Sequence, residues 1–475
     1  MNRTLLAAAL LAITTPLTAQ QAILAQAAAL KSTQAVDPKV AALRDAALDH
    51  DNYAWDVVEG LTTEVGQRLA ATEAEARART WAVAKLKALG FANVHVEPFT
   101  IPGWTRGAEG AVIVSPFPQR LVVAALGNSG STSPAGITGQ IVYFDSVDAL
   151  RRAPDSAVAG KIVFIDHHMT ATQDGSGYGQ FGAPRRQGPT LASQKGAIGI
   201  VVRSIGTDHH RNPHTGVQTF ADGAKPIPAG ALTVPDSEQL IRILKRGLPV
   251  TMHLTLVSQY QATGGESGNV VAEVTGRDPS APMILVGGHL DSWDQGTGAI
   301  DDGTGVAIMT AAAKHIMDSG RPMRTIRVVW FGAEEPGGFG GTAYQKAHPT
   351  DKYALAGESD FGADRVWRFG SQYLTIDPAV NATLASALAP LGITRFDKAE
   401  ADGTDVGPAI EAGAPWISLY QDGTRYFDYH HTPDDTLDKI DPVQLRQNVA
   451  AWTAVLAIVS GGIDPPAELN RRRKR

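Results

Sequence analysis

The sequence predicts an α/β fold: a mostly parallel sheet flanked by helices, with a β-rich segment inserted into it. Three observations lead there. Residues 283–286 (MILV) and 326–331 (IRVVWF) are short apolar runs bounded by Gly and polar residues, the pattern of strands buried on both faces of a parallel sheet. Residues 306–317, between them, are Ala-rich and apolar enough to be a crossover helix. Finally, the texture changes near residue 107 and changes back near 262, with short strand-like runs broken by Gly, Ser and Pro taking over from helical pattern.

A chain of 475 residues is long for one hydrophobic core, so two domains are expected. The borders above divide it into a discontinuous α/β domain, residues 20–106 and 263–475, and an insert, 107–262. Hydrophobic content of 43% and charged content of 19% describe an ordinary globular protein, and the net charge of −6 argues against nucleic acid as main partner. The basic end, Arg471 to Arg475, reads as a solvated tail. Residues 1–19 have the form of a secretory signal peptide: Arg3, an apolar run at 5–13, then small residues up to Ala19, with Ala25 and Ala27 as other cleavage points. That run is too short to span a bilayer, and no other run is long enough. The mature protein is therefore expected to be exported, periplasmic or extracellular. Cysteine is absent, so any metal must be held by His and carboxylates.

Taken in order, residues 37–49 and 53–63 read as short helices. A clearer helix begins at Thr72, with Glu75 completing a capping box and Gly90 as the stop. Residues 93–99 alternate like a half-buried strand. In the insert, strands are expected at 111–115, 121–125, 140–144, 161–166 and 198–202, and helices at 189–195 and 236–246. Gly264, Gly265, Glu266, Ser267 and Gly268 read as a hinge back into a strand at 269–275. The insert histidines are His167, His168, His209, His210 and His214. The last two stand four apart, but Pro213 and Gly216 dictate a loop, and these residues read as ordinary loop positions, with substrate or metal contact as the alternative. Past 335 come a loop, a helix, strands at 354–360 and 415–420, and a last helix at 442–459.

Chemistry-bearing residues follow the predicted strands. His289 stands after the first apolar run and Glu334 and Glu335 after the second. Asp301 and Asp302 lie in the Gly-rich loop between them, Asp360 ends a later strand, and His430 and His431 follow another. Singly, each has a plain structural reading: a satisfied histidine, a solvated acidic pair, an N-cap with first-turn carboxylates. Together they fall on the carboxyl edge of one sheet, where α/β folds bind ligands. Imidazoles and carboxylates suit Zn²⁺.

The phrases GGHLDSW, GAIDDGTG, FGAEEPG, ESD and HHT followed by DT, in this order, resemble the co-catalytic di-zinc aminopeptidase and glutamate carboxypeptidase family. GKIVF and VRSIGTDHHRNPHTG resemble that family's protease-associated insert, so the likeness covers nearly the whole mature chain. It implies a zinc-exopeptidase fold and two Zn²⁺ per chain, one held by His289 and Asp360, the other by Glu335 and His431, with Asp301 bridging. It further implies a cis peptide between Asp301 and Asp302. Glu334 would be the general base for metal-activated water, and Asp291 would orient His289. In the family the ligand His stands four residues before the Asp of an Asp-Thr pair; Asp435-Thr436 selects His431. The preceding position often carries Tyr, whose hydroxyl helps the oxyanion; here it is His430. The resemblance thus implies an exported exopeptidase acting on short peptides or dipeptides, with no membrane span in the mature chain, and is compatible with a homodimer. Two other readings share the scaffold: a single-zinc acyltransferase like the glutaminyl cyclases, and an inactive binding protein with eroded ligands. Aminopeptidase and carboxypeptidase chemistry use the same metals, so the end of the peptide that is read depends on other groups. Arg365, Arg368 and Arg425 are candidates for a carboxylate clamp by charge.

Overall fold

The computed structural model describes residues 35–401 and 403–464. The signal segment and the basic tail lie outside them. Two long strands, β1 (Ala92–Ser115) and β2 (Thr251–Val274), pair antiparallel over most of their length. Beyond them come β3 (Met283–His289), β4 (Ile326–Phe331) and β5 (Tyr353–Glu358). β3 lies between β4 and β5 and is parallel to both, while β4 pairs antiparallel with β2. The apolar runs of β3 and β4 are buried on both faces: Ile284, Leu285, Val286, Val328, Val329 and Trp330 are all fully enclosed. The crossover helix Thr304–Ser319 joins β3 to β4, and all its residues from Thr304 to Ala313 are buried. It packs against the last helix, Pro442–Val459, whose Trp452 is also fully enclosed.

The segment between β1 and β2 continues the same sheet. Strands Ile137–Phe144, Ile162–Ile165, Gly199–Arg203 and Ala229–Leu232 run parallel to one another, and Ile137–Phe144 pairs antiparallel with the start of β2. Helices Ala183–Gln194 and Val234–Leu244 flank them. An apolar cluster that includes Ile165, Ile200 and Val202 lies wholly within this part, and another, with Phe164, Val201 and Leu254, also takes in Leu69, Trp104 and Trp293. β1 and β2 run unbroken from one half into the other, with residues 107 and 262 inside them.

Two local expectations need correction. Residues 264–268 are not a hinge: they lie within β2, with 265–268 paired to residues 98–101 of β1. Glycine serves close approach there, since a Cβ on Gly265 would lie 2.8 Å from both the Ala71 Cβ and the Ile101 carbonyl oxygen. The capping box at Thr72 does not close either. The helix Glu73–Ala88 starts where expected, but the Thr72 hydroxyl donates to the Leu69 carbonyl at 2.6 Å, and Glu75 accepts the Ala71 N–H at 2.8 Å. Glu75 is drawn inward by Ser267 at 2.5 Å and Arg79 at 2.8 Å, so tertiary partners displace the local motif.

Candidate active site

The carboxyl ends of β3, β4 and β5 converge. β3 delivers His289 as its last residue, β4 is followed within four residues by Glu334 and Glu335, and β5 by Asp360. The loop after β3 turns back to bring Asp301 under His289. Its path is built from buried groups. Arg68, fully enclosed, donates to the carbonyls of Leu290, Thr297 and Gly298 at 2.5, 2.6 and 2.9 Å. Asp435 accepts the N–H groups of Ile300 and Asp301 at 2.5 and 3.3 Å. Asp302 accepts those of His289 and Gly305, each at 3.0 Å, tying the end of β3 to the start of the crossover helix. That approach needs glycine: a Cβ on Gly305 would stand 1.8 Å from the Ser359 carbonyl oxygen. The Asp301–Asp302 peptide is cis, as the resemblance implies.

Asp301 is the centre of the arrangement. Its Oδ1 lies 3.0 Å from His289 Nε2, which is also 3.4 Å from Asp360 Oδ1. Its Oδ2 lies 3.2 Å from His431 Nε2, which is also 2.9 Å from Glu335 Oε2. One carboxylate therefore faces two imidazoles, each backed by a further carboxylate. All five named ligand candidates come together, and four are nearly fully buried, with Asp360 partly so. His431 has φ of 60° and Ala333, just before Glu334, φ of 55°. Left-handed backbone at residues with a Cβ is uncommon and concentrates at functional sites.

Asp291 acts differently from the expectation. The His289 Nδ1 meets the main-chain carbonyl of Asp291 at 2.9 Å, with the carboxylate 3.8 Å away. That carboxylate instead accepts the N–H groups of Glu334 and Glu335 at 2.9 and 3.2 Å. It sets the turn that presents both glutamates, while the backbone beside it fixes the imidazole tautomer.

The electrostatics show a site with too little positive charge. Burial, with neighbouring carboxylates, pushes Glu334 up to about 7, Glu335 to about 8 and Asp360 to about 6. His289 and His431 are raised well above the ordinary imidazole range; burial opposes this, but Asp360 and Asp301 around the first and Glu335 beside the second outweigh it. Two donor oxygens, Asp301 Oδ2 and Glu335 Oε1, and one nitrogen, His431 Nδ1, are buried without a hydrogen-bond partner. Crowded carboxylates, imidazole nitrogens turned towards one bridging group, and orphaned oxygens fit divalent cations, which reverse this charge balance.

The site opens into a cavity of about 420 Å³ lined by Asp301, Glu334, Glu335, Asp360 and His431 from below. Tyr178, Arg185 and Val217, from the segment between β1 and β2, form the facing wall. His214 enters from the same side, its Nε2 3.1 Å from His430 Nδ1, and it is buried together with His430 and His431. The sequence favours an ordinary loop residue at His214 over the alternative of substrate or metal contact; tertiary folding brings it to His430, more than 200 residues away. Sequence reading also passed over Arg185 and Tyr178, while the arginines it chose are elsewhere. Arg425 pairs with Asp364 at 2.7 Å, Arg368 is stacked among Trp367, Phe396 and Tyr420, and Arg365 donates to the Leu391 carbonyl; none lines the cavity.

A family profile, peptidase family M28, matches residues 269–456, which hold every ligand candidate. Carboxypeptidase Q from Bos taurus is 36% identical over 415 residues, covering 86% of this chain and 85% of that protein. The chain belongs to peptidase family M28. Carboxypeptidase Q from Homo sapiens is 35% identical over the same shares. The crystal structure of a peptidase M28 precursor from Shewanella amazonensis SB2B superposes with a TM-score of 0.86 at 45% identity, covering 90% of this chain and 98% of that one. BSAP, a zinc aminopeptidase from Bacillus subtilis, shares the fold at a TM-score of 0.62 and 20% identity, over 85% of this chain and 94% of that one. This M28 protein is a metallo-exopeptidase of mixed α/β fold, acting on peptides. No helix among the described residues is long and apolar enough to cross a membrane.

Proposed function

We propose that the chain is an exported di-zinc exopeptidase that hydrolyses short peptides or dipeptides. The observation that carries this reading is Asp301, with its two oxygens at 3.0 and 3.2 Å from two different imidazoles. His289 and Asp360 would hold one Zn²⁺, His431 and Glu335 the other, and Asp301 would bridge them. When bound, the ions supply Lewis acidity, lowering the pKa of water and polarising the scissile carbonyl. Glu334 lines the cavity beside these ligands and has no part in either imidazole pair. It is the general base: its carboxylate takes a proton from the attacking water as the O–C bond forms. It then passes that proton to the leaving nitrogen as the C–N bond breaks. Asp291 holds the Glu334–Glu335 turn in place and so keeps base and ligand in register. His430, near Asp301 and beside the ring of His431, supplies an imidazole where relatives often have a Tyr hydroxyl.

We assign residues 1–19 to a signal peptide, 20–106 and 263–475 to the peptidase domain, and 107–262 to an inserted lobe that walls the substrate site. An apolar cluster lying wholly within the lobe and the lobe's contribution to the cavity lining support that division.

The test is metal analysis with one substitution. Two zinc ions per chain are expected, and Glu334→Gln should keep both while losing on the order of 10²–10⁴-fold in kcat. A single ion per chain would favour the single-zinc acyltransferase reading. An active Glu334→Gln enzyme would remove the base assignment.

A further inference from the structure

Of the adjacent pair His430 and His431, only the second is a ligand candidate. His430 is nevertheless buried, and its Nε2 lies 3.4 Å from Asp301 Oδ2. Its other nitrogen, Nδ1, stands 3.1 Å from Nε2 of His214, which comes from the segment between β1 and β2. His214 is 2% exposed, and its Nδ1 is buried with no partner. The contact with His430 is therefore the one hydrogen bond this ring makes among the described residues.

The backbone that carries His214 is fixed independently of that bond. Its N–H donates to Ser204 Oγ at 2.9 Å, and the Thr215 N–H donates to the His431 carbonyl at 3.0 Å. The Thr215 hydroxyl donates to the Ala125 carbonyl at 2.8 Å and accepts from Arg106 Nη2 at 3.1 Å. On the other side, the rings of His430 and His431 stack with centroids 3.6 Å apart. His430 is thus held between a braced imidazole and a candidate ligand.

A neutral imidazole has one N–H and one lone pair, and the bond made at one nitrogen decides which is presented at the other. Positive charge already stands close by. A Cβ on Gly216 would lie 2.0 Å from Arg185 Nη1 and 2.8 Å from His431 Nδ1, which favours neutral rings in this corner. The carboxylate of Asp301 can only accept, so it sets the hydrogen on His430 Nε2. His430 Nδ1 then carries the lone pair, and the hydrogen in the 3.1 Å contact belongs to His214 Nε2. In the reverse order His430 would turn a lone pair towards the cavity and repel developing negative charge.

We propose that His214 is a positioning residue for the hydrolysis. By donating to His430 Nδ1 it keeps the Nε2–H of His430 facing the cavity, ready to donate to the scissile carbonyl oxygen as that oxygen gains charge. His430 lines the cavity together with Asp301 and Glu334, and a fixed donor there stabilises the charge that develops during attack. The hydrogen stays on Nε2 throughout; no proton changes hands between the two histidines. The inserted lobe then contributes to turnover as well as to the cavity wall. This rests on the role given to His430 under the exopeptidase reading.

The test is a double-mutant cycle on the zinc-loaded full chain: His214→Met, His430→Phe and the two together, with His214→Gln as the conservative variant. Zinc content, melting temperature, kcat and KM on one short peptide are recorded for each. His430→Phe should lose on the order of 10²–10³-fold in kcat, as removal of one oxyanion donor does. His214→Met should lose roughly 10–100-fold in kcat, with KM and zinc content retained. His214→Gln, whose amide N–H₂ can donate from the same place, should recover most of that loss. In the His430→Phe background, His214→Met should cause no further loss. Nitrogen-15 shifts of His430 in the wild type, assigned by their absence in His430→Phe, should show the hydrogen on Nε2 and the lone pair on Nδ1. That reading needs no substitution at His214, so it decides the matter even if His214→Met does not fold. The opposite tautomer, an unchanged kcat in His214→Met, or losses that add in the double variant would overturn the proposal. So would loss of zinc from His214→Met and His214→Gln alike. A His430→Phe enzyme with wild-type kcat would remove the role of His430 itself, and this proposal with it.

Discussion

At the scale of single residues, the site depends as much on groups that hold backbone as on the ligand candidates. Asp435 is the clearest case. It accepts two main-chain N–H groups, at Ile300 and Asp301, and burial pushes it up to about 7. Replacing it with Asn turns an amide N–H₂ towards one of those donors and leaves a buried N–H unmatched. Asp435→Asn should therefore fold but lower zinc affinity by roughly 10–100-fold, as loss of outer hydrogen bonds does at metal sites; competition with a chromogenic chelator measures it. The ligand candidates were legible in the sequence because each ends or follows an apolar strand and carries its own local phrase. Asp291 was half legible: its neighbourhood to His289 is sequential, but its grip on Glu334 and Glu335 depends on β3 lying beside β4. His214 and Tyr178 were not legible, because their place at the site comes from contact with His430 and Phe427, more than 200 residues away, and nothing local marked Arg185 as a residue of the cavity wall.

At the scale of elements, legibility follows burial. β3, β4 and the last helix were placed within a few residues, since a run enclosed on every side must be apolar throughout. Elements whose ends are decided by tertiary partners were read less well. The helix expected at 189–195 begins at Ala183, with Pro184 in its first turn, where the missing N–H is harmless. The glycine-rich stretch at 264–268 has the composition of a hinge but the register of a strand, because β1 pairs with it from Gly265 to Gly268. The Thr72–Glu75 pair fits a capping box in spacing, yet Ser267 and Arg79 claim the glutamate.

For the whole molecule, charge balance at the site predicts how stability responds to pH. In metal-free protein, Glu334, Glu335 and Asp360 titrate near 7, 8 and 6 in the folded state, against about 4.5, 4.5 and 3.8 for the unfolded, solvated chain. The folded state therefore holds more protons than the unfolded one in this window. The associated stability is fully present below about pH 4 and is lost as pH rises through 6 to 8. His289 and His431, also raised, act in the same sense; Asp301, held low by the imidazoles against its own burial, opposes them. Zinc displaces these protons, so its stabilising effect should grow with pH. The gap in melting temperature between zinc-loaded and chelated protein should be wider at pH 8 than at pH 5.5. A gap that stayed constant or narrowed would contradict the charge balance.

The central claim is that Asp301 bridges two metal ions. Anomalous diffraction at the zinc edge, on zinc-loaded crystals, tests it most directly. The account predicts two anomalous peaks roughly 3.5–4 Å apart, one beside His289 and Asp360, the other beside His431 and Glu335, with the Asp301 carboxylate between them. A single peak, or two peaks that do not share Asp301, would contradict it.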